Sequence, residues 1–227
     1  YGKDLPCQTA LSRLIALILK DCPQLPALRI SSLDPGEMSD GLWSVLMSSK
    51  RIMPHVHLSM QAGSDLILKR MKRRHLREDI VRVIQRIRDE WPEATIGADV
   101  IAGFPTESDA HFEETQALVS CLDLVHVFPF SAHQQTPASK MPQVAGEVIK
   151  KRAKVLRDVA AQNLQRALSR HVGKTFKVMM ERLDQGVGHG KTEHFLPCTG
   201  QGEWQKGQWQ SVIGCEVVND CLRVELI

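Results

Sequence analysis

Four short runs of strand character, ALRISSLDP, HVHLSMQ, ATIGADVIAGFP and DLVHVFPFS, are separated by stretches with helical spacing. The helical stretches are DGLWSVLMSSK, SDLILKRMKRRHLREDIVRVIQRIRDEW and DAHFEETQALVSCL, and TALSRLIALILKDC precedes the first run with Leu11, Leu14, Ile15, Ile18 and Leu19 on one face. Strands alternating with helices predict an α/β fold with parallel pairing. Right-handed crossovers put the helices outside the sheet. The alternation fits a parallel barrel or an open doubly wound sheet, and does not choose between them.

A strand buried on both faces should be apolar nearly throughout, because unpartnered polar groups are costly to bury. These runs are not. Val56, Leu58 and Met60 alternate with His57, Ser59 and Gln61; Arg29 and Ser31 lie opposite Leu28 and Ile30; Asp99 lies between Ala98 and Val100; Ser131 follows Phe130. Polar groups recurring near the carboxyl ends of all four runs predict a shared hydrophilic interior, where ligands of parallel α/β folds bind. His55 and His57, two apart on one face, have the spacing of a metal pair, but two ligands do not define a site.

Near residue 140 the pattern changes. MPQVAGE reads as a linker, and EVIKKRAKVLRDVAAQNLQRALSRHVG as one long helix ended by Gly173. Beyond it come KTFKVMMER, EHFLPCTG, QSVIGCEVVN and CLRVELI, short β-like runs punctuated by glycines. Four or five such strands predict a small antiparallel barrel. The resulting division is 1–142, a helix-and-strand domain; 143–171, a connecting basic helix; and 172–227, a small barrel.

The 227 residues, 43% hydrophobic, suffice for a real core, and the formal charge of +3 announces no nucleic-acid binder. The charge is segregated, however. Residues 69–88 hold nine Lys/Arg against two acids, residues 143–171 seven against two, and residues 89–142 one against nine. Such blocks can form a basic face for phosphate or merely solvated helix surfaces. No apolar run approaches the roughly 20 residues of a membrane span. The six cysteines are scattered without a CxxC or CxxxCxxC spacing, so they read as thiols of a cytoplasmic protein. There is no GxSxG, HExxH or P-loop.

RISSLDP, HLSMQAGSD, RMKRRHLRED, GADVIAGFPTES, HVFPFSAHQQTPASKMPQV and KKRAKVLR occur in this order and at these distances. Together they resemble the radical S-adenosylmethionine (SAM) methylthiotransferases. The tail, VGKTFKVMMER followed by GHGKTEHFLPC, resembles the small TRAM β-barrel of these enzymes. HVFPFS and GKTEHF look most like the branch that modifies N6-threonylcarbamoyladenosine at position 37 of tRNA. The isopentenyladenosine branch and the ribosomal-protein branch are the competitors.

The resemblance implies the C-terminal portion of a partial parallel (β/α) radical-SAM barrel, followed by a TRAM-like barrel. It implies SAM as cofactor, together with [4Fe-4S] clusters carried by N-terminal parts of the same polypeptide, one of them through a CxxxCxxC motif expected before residue 1. On that reading this stretch alone should neither bind the radical cluster nor turn over, and its cysteines are not expected to ligate metal. Implied partners are tRNA and an electron donor of the reductase or flavodoxin type, in the cytoplasm and without a membrane. A non-catalytic RNA-binding remnant of the fold, or an unrelated TIM-type metabolic enzyme, are the alternatives of a different class.

Carried over residue by residue, the resemblance implies Gln61 and Ser64 as polar contacts to SAM, with Ser31, Ser32 and Asp99 as secondary candidates. Gly103 and Phe104 match the motif that lets backbone meet the adenine. Arg70, Lys72, Arg73, Arg74, Lys174, Lys177, Arg182, Lys191 and His194 are the tRNA candidates. The chain departs from the family pattern at Ser59 and Ala62, where a proline and a serine are usual. Thr106 and Gln135 replace glycines, and His133 stands for an arginine, whose loss removes a bidentate grip on phosphate or carboxylate.

Overall fold

A computed structural model describes Gly2 and residues 10–227. Helices α1 (Leu11–Asp21) and α2 (Asp40–Met47) lead into strand β1 (His55–Gln61). Helices α3 (Asp65–Arg70) and α4 (Arg77–Glu90) cross over to β2 (Thr95–Ala102), and α5 (Asp109–Val119) crosses to β3 (Leu124–Pro129). The three strands pair in parallel in the order β1-β2-β3. The basic stretch is thus two helices, broken where Lys72 takes a positive φ of 57°.

Only three of the four expected strands join this sheet. ALRISSLDP runs alongside β1 but touches it at two isolated parallel bridges, Leu28 with Ile52 and Leu33 with Leu58. The backbone pairs at both ends of the run and not between them, and directly after Leu33 it turns off: the Asp34 carboxylate accepts from the Gly36 amide and caps a short 3-10 turn at Pro35–Glu37, so the run cannot extend beyond that bridge.

One face of the sheet is core. Val56, Leu58, Met60, Ile96, Ala98, Val100 and Ala102 are at most 2% exposed and pack against Ile67, Leu68, Ile80, Ile87 and Val119 of the crossover helices. Each large apolar side chain buried this way is worth about 1.5–3 kcal/mol relative to exposure. A register slip of one residue would exchange this set for His57, Ser59 and Asp99, so the alternation itself pins which face is polar.

Helix α6 (Gly146–Ser169) packs along β3 through Leu156 and delivers the chain to a closed barrel. The barrel comprises β4 (Thr175–Asp184), β5 (Val187–Thr192), β6 (Pro197–Gln201), β7 (Trp209–Val218) and β8 (Cys221–Leu226), in the order β4-β5-β6-β8-β7. Its own core is Phe176, Val178, Met180, Leu196, Cys198, Val212, Leu222 and Val224. The expectation of an antiparallel barrel is corrected at one seam, since β6 and β8 pair in parallel. An odd number of strands in a closed ring cannot alternate direction at every seam. Strand β5, in the glycine-rich VGHGKT, had no apolar run to announce it. Gly190 needs to be glycine there, because a Cβ would lie 2.0 Å from the Met179 carbonyl oxygen.

Candidate functional site

The polar face of the sheet is built by register. His55 pairs with Thr95 and His57 with Gly97; Gly97 pairs with Leu124, Asp99 with His126 and Ile101 with Phe128. His55 and His57 therefore share a face with Thr95, Asp99, Ile101, Leu124, His126 and Phe128, whereas Gln61, beyond a bulge, pairs with Val100. The face is a shelf rather than a closed cavity: Phe128 is 51% exposed.

The shelf has a floor. The segment between β5 and β6, with Phe195 at a φ of 65°, docks on the amino-terminal end of the sheet. The Phe195 ring stacks on His55 with centroids 4.9 Å apart, and the Arg29 guanidinium lies 4.8 Å over the same ring. Arg29 also donates to the carbonyl oxygens of Thr192 and Glu193, at 3.4 and 3.2 Å. The Thr95 hydroxyl donates to the His194 carbonyl, so its single proton is spent and His55 Nδ1, 2.9 Å away, is the donor to Thr95 Oγ1. Burial holds His55 and His194 far below the ordinary imidazole range, each to about 3, helped by neighbouring positive charge. They are neutral packing groups.

At the carboxyl end, Gln61 takes a φ of 65° at a bulge that shifts the register between Leu58 and Gln61. A non-glycine residue in this region is costly, and such strain gathers at ligand sites. Asp99 is half-buried between two imidazoles, 3.3 Å from His57 Nε2 and 3.2 Å from His126 Nδ1. The other expected cofactor residues are placed differently. Ser31 and Ser32 are exposed beside the bridge at Leu33, whereas Ser64 is buried at the start of α3. Gly103 is covered by α6, since a Cβ on it would meet Ile149 Cγ1 at 2.6 Å. Phe104 is buried edge-on to Phe130, centroids 5.3 Å apart.

The structure brings Asp99 together with His57 and His126 and sets Phe128 on the same face, a grouping that sequence reasoning had not made; Gln61 lies beyond the bulge at the end of β1, opposite Val100. The signal was the shared parity of three strands, readable only once the register is known. The pairing of His55 with His57 dissolves, because His55 turns into the floor.

Of the basic residues, Arg82, Arg86, Arg88, Arg152 and Arg170 are engaged in ion pairs with Glu78, Asp79, Asp40, Glu90, Asp123, Glu107 and Asp109. Lys72, Arg73 and Arg74, on the turn between α3 and α4, make no ion pair among the described residues, and Arg70 donates to the Thr106 hydroxyl. Lys174, Lys177 and Arg182 are exposed on the barrel, and Lys191 lies 5.1 Å over the Phe195 ring. His194 is only 8% exposed, packed against His171 at 4.4 Å, so its side chain faces inward.

Residues 8–119 match the family model described as the radical SAM superfamily, and the chain belongs to that superfamily. Its relatives within it are tRNA-modifying enzymes. The chain is 43% identical over 199 residues to the threonylcarbamoyladenosine tRNA methylthiotransferase MtaB of Rickettsia prowazekii (strain Madrid E), covering 87% of this chain and 46% of that protein. It is 35% identical over 174 residues to a tRNA-2-methylthio-N(6)-dimethylallyladenosine synthase of Cereibacter sphaeroides (strain ATCC 17029 / ATH 2.4.9), covering 75% of this chain and 40% of that protein. The chain thus spans about half the length of the curated relatives it matches. A solved structure of Methanocaldococcus infernus Elp3 with an N-terminal deletion (1-46) superposes with a TM-score of 0.46 at 18% identity, covering 60% of this chain and 32% of that one, a likeness too slight to argue from.

An iron–sulfur cluster of this superfamily needs several thiolates gathered around one point. The free cysteines Cys22, Cys121, Cys198, Cys215 and Cys221 do not gather; Cys7 lies outside the described residues. The described residues do not fit such a cluster. On the sheet, Asp99 offers a carboxylate and Phe128 an open ring face on one surface, groups of the kind a nucleoside-bearing cofactor meets.

Proposed function

We propose that this chain forms the substrate-facing sheet and C-terminal barrel of a tRNA methylthiotransferase that places a methylthio group on C2 of N6-threonylcarbamoyladenosine-37. The single observation that carries this reading is the shelf, a polar and aromatic face at the carboxyl ends of parallel strands, in a chain 43% identical to an enzyme of that name. The choice of the threonylcarbamoyl branch rests on the 43% relative, since other enzymes of that name and the dimethylallyladenosine enzymes both stand near 35%.

SAM, when bound to the whole protein, supplies the radical and the methyl group of this chemistry. Gln61 and Asp99 would hold its polar groups, Ser31, Ser32 and Ser64 would line the rim and the turn behind it, and the Gly103–Phe104 backbone would support the strand end. Phe128 stacks a purine ring, as exposed aromatic side chains do with unstacked bases. The turn carrying Arg70, Lys72, Arg73 and Arg74 and the barrel residues Lys174, Lys177, Arg182 and Lys191 contact tRNA phosphates, and His194 orients the loop that carries the floor. The small barrel serves as a TRAM-type tRNA contact, and the domain division at 142 and 171 follows the helix that links it to the sheet. The clusters and the electron donor of reductase type belong to other parts of the polypeptide and to a partner.

Mass spectrometry of tRNA nucleosides from a strain lacking the gene tests this. Loss of the 2-methylthio form of threonylcarbamoyladenosine is expected. Loss confined to the isopentenyl derivative assigns the other branch, and unchanged tRNA overturns the reading.

A further inference from the structure

The structure assigns a divalent transition-metal site to His57, Asp99 and His126, one residue from each strand of the sheet. Asp99 and His126 are paired neighbours in the β2–β3 ladder, and His57 is paired with Gly97, two residues before Asp99. Side chains on one face of adjacent strands converge at such positions. Gly97 makes the convergence possible: a Cβ there would sit 2.9 Å from His57 Nδ1, so only glycine leaves that ring its place.

The ligand atoms lie within 4.8 Å of one another. His57 Nε2 and His126 Nδ1 approach the same oxygen, Asp99 Oδ1, at 3.3 and 3.2 Å. Ligands about 2.0 Å from a tetrahedral ion are separated by about 3.3 Å, so two edges of the coordination polyhedron already have their length. Three protein ligands leave positions open on the solvent side, where the His126 side chain is 59% exposed and the Asp99 side chain 30%. Two imidazoles and one carboxylate select ions of the zinc–iron group over magnesium or calcium, which prefer oxygen ligands. The rival is a metal-free hydrogen-bonded cluster. It accounts for the His126 contact, which is a hydrogen bond, but the His57 contact has the distance without that alignment.

This site goes beyond the proposed methylthio transfer but shares Asp99 with the residues proposed for SAM; it is tested without SAM or tRNA and through His57 and His126 as well, so its failure leaves that reading untouched. The metal-stripped chain is titrated with Co2+ alone and followed by visible d–d absorption. One equivalent should bind, and Zn2+ should displace it. His57→Gln, Asp99→Asn and His126→Ala should each weaken binding more than tenfold, since even outer-shell changes cost 10–100-fold. The exposed His126 ring can be removed without touching the core, and its variant should keep the metal-free melting temperature of the parent. Absence of d–d bands at stoichiometric Co2+, equal affinity in the His126→Ala chain, or sulfur-to-cobalt charge-transfer bands marking the cysteines as the ligands would each overturn the assignment.

Discussion

Arg152 on α6 and Glu107 after β2 form a buried ion pair, with Nη1 2.9 Å from Oε2 and also donating to the Glu107 carbonyl oxygen at 2.9 Å. The Glu107 carboxylate in turn accepts from the Gly103 amide at 2.9 Å. One carboxylate thus ties the linking helix to the carboxyl end of the central strand, where the shelf ends.

Breaking this pair from one side leaves a buried charge, which typically costs 3–5 kcal/mol. Arg152→Met should therefore lower the melting temperature sharply at pH 7.5. Burial raises the Glu107 carboxyl above its usual range, with Arg152 and the Gly103 amide opposing the shift. A raised acid costs stability above its folded-state pKa and ceases to do so once protonated. The gap between Arg152→Met and the parent should narrow from pH 7.5 to pH 5; a constant or widening gap contradicts the account.

The floor of the shelf predicts acid sensitivity. His55 and His194 are held to about 3, and burial lowers His171 as well, whereas the unfolded imidazoles titrate near 6.5. As pH falls below 6.5 the unfolded chain binds protons that the folded one refuses. Each of the two should remove roughly 1.4 kcal/mol of stability per pH unit. Denaturant melts between pH 7 and 5 should show that loss, and His194→Phe, which also removes a buried Nδ1 without a partner, should reduce the slope by one histidine's share. An unchanged slope would sink the assignment.

Much of this was legible in sequence and some was not. Strands 55–61, 95–102 and 124–129 announce themselves by alternation, and Asp99 lies on the half-exposed face that alternation gave it, whereas the bulge that sets Gln61 opposite Val100 leaves no mark in the pattern. Residues 28–34 look as strand-like, yet they meet β1 only at Leu28 and Leu33, and the side-chain cap at Asp34 ends the run there, a local hydrogen bond that hydrophobic pattern does not weigh. Arg152 and Glu107 are 45 residues apart, and no local rule pairs them. His194 sits in polar KTEHF and reads as surface; it is buried because Phe195 docks on His55, a contact between distant segments.

Thr106 occupies a φ of 69°, at a position where the family pattern has glycine. A β-branched residue in the left-handed region is strained by about 1–2 kcal/mol, partly offset by the extra unfolded-state freedom of glycine. Thr106→Gly should melt at or slightly above the parent, and Thr106→Val, which keeps the strain and loses the hydroxyl held by Arg70, below it. A Thr106→Gly chain melting below the parent would show that the hydroxyl, which both variants lose, outweighs the strain.

Gly190→Ala should disrupt the barrel, because the added Cβ meets main chain at 2.0 Å rather than a side chain that can yield. Cys198, buried and pushed up to about 12, should be unreactive to thiol reagents in the parent and labelled in this variant. Continued protection of Cys198 would mean the barrel had absorbed the methyl group.

The central claim is that the sheet surface around Asp99, together with the strand end at Gln61, is where the modified nucleoside is made. The most direct measurement is the 2-methylthio content of tRNA threonylcarbamoyladenosine in a deletion strain complemented with the whole gene, intact or carrying Gln61→Ala or Asp99→Ala. With protein levels matched by immunoblot, the intact gene should restore the modification and both variants should leave it below about a tenth, the loss expected when a positioned polar group at a reaction centre is removed. Full restoration by both variants would contradict the account.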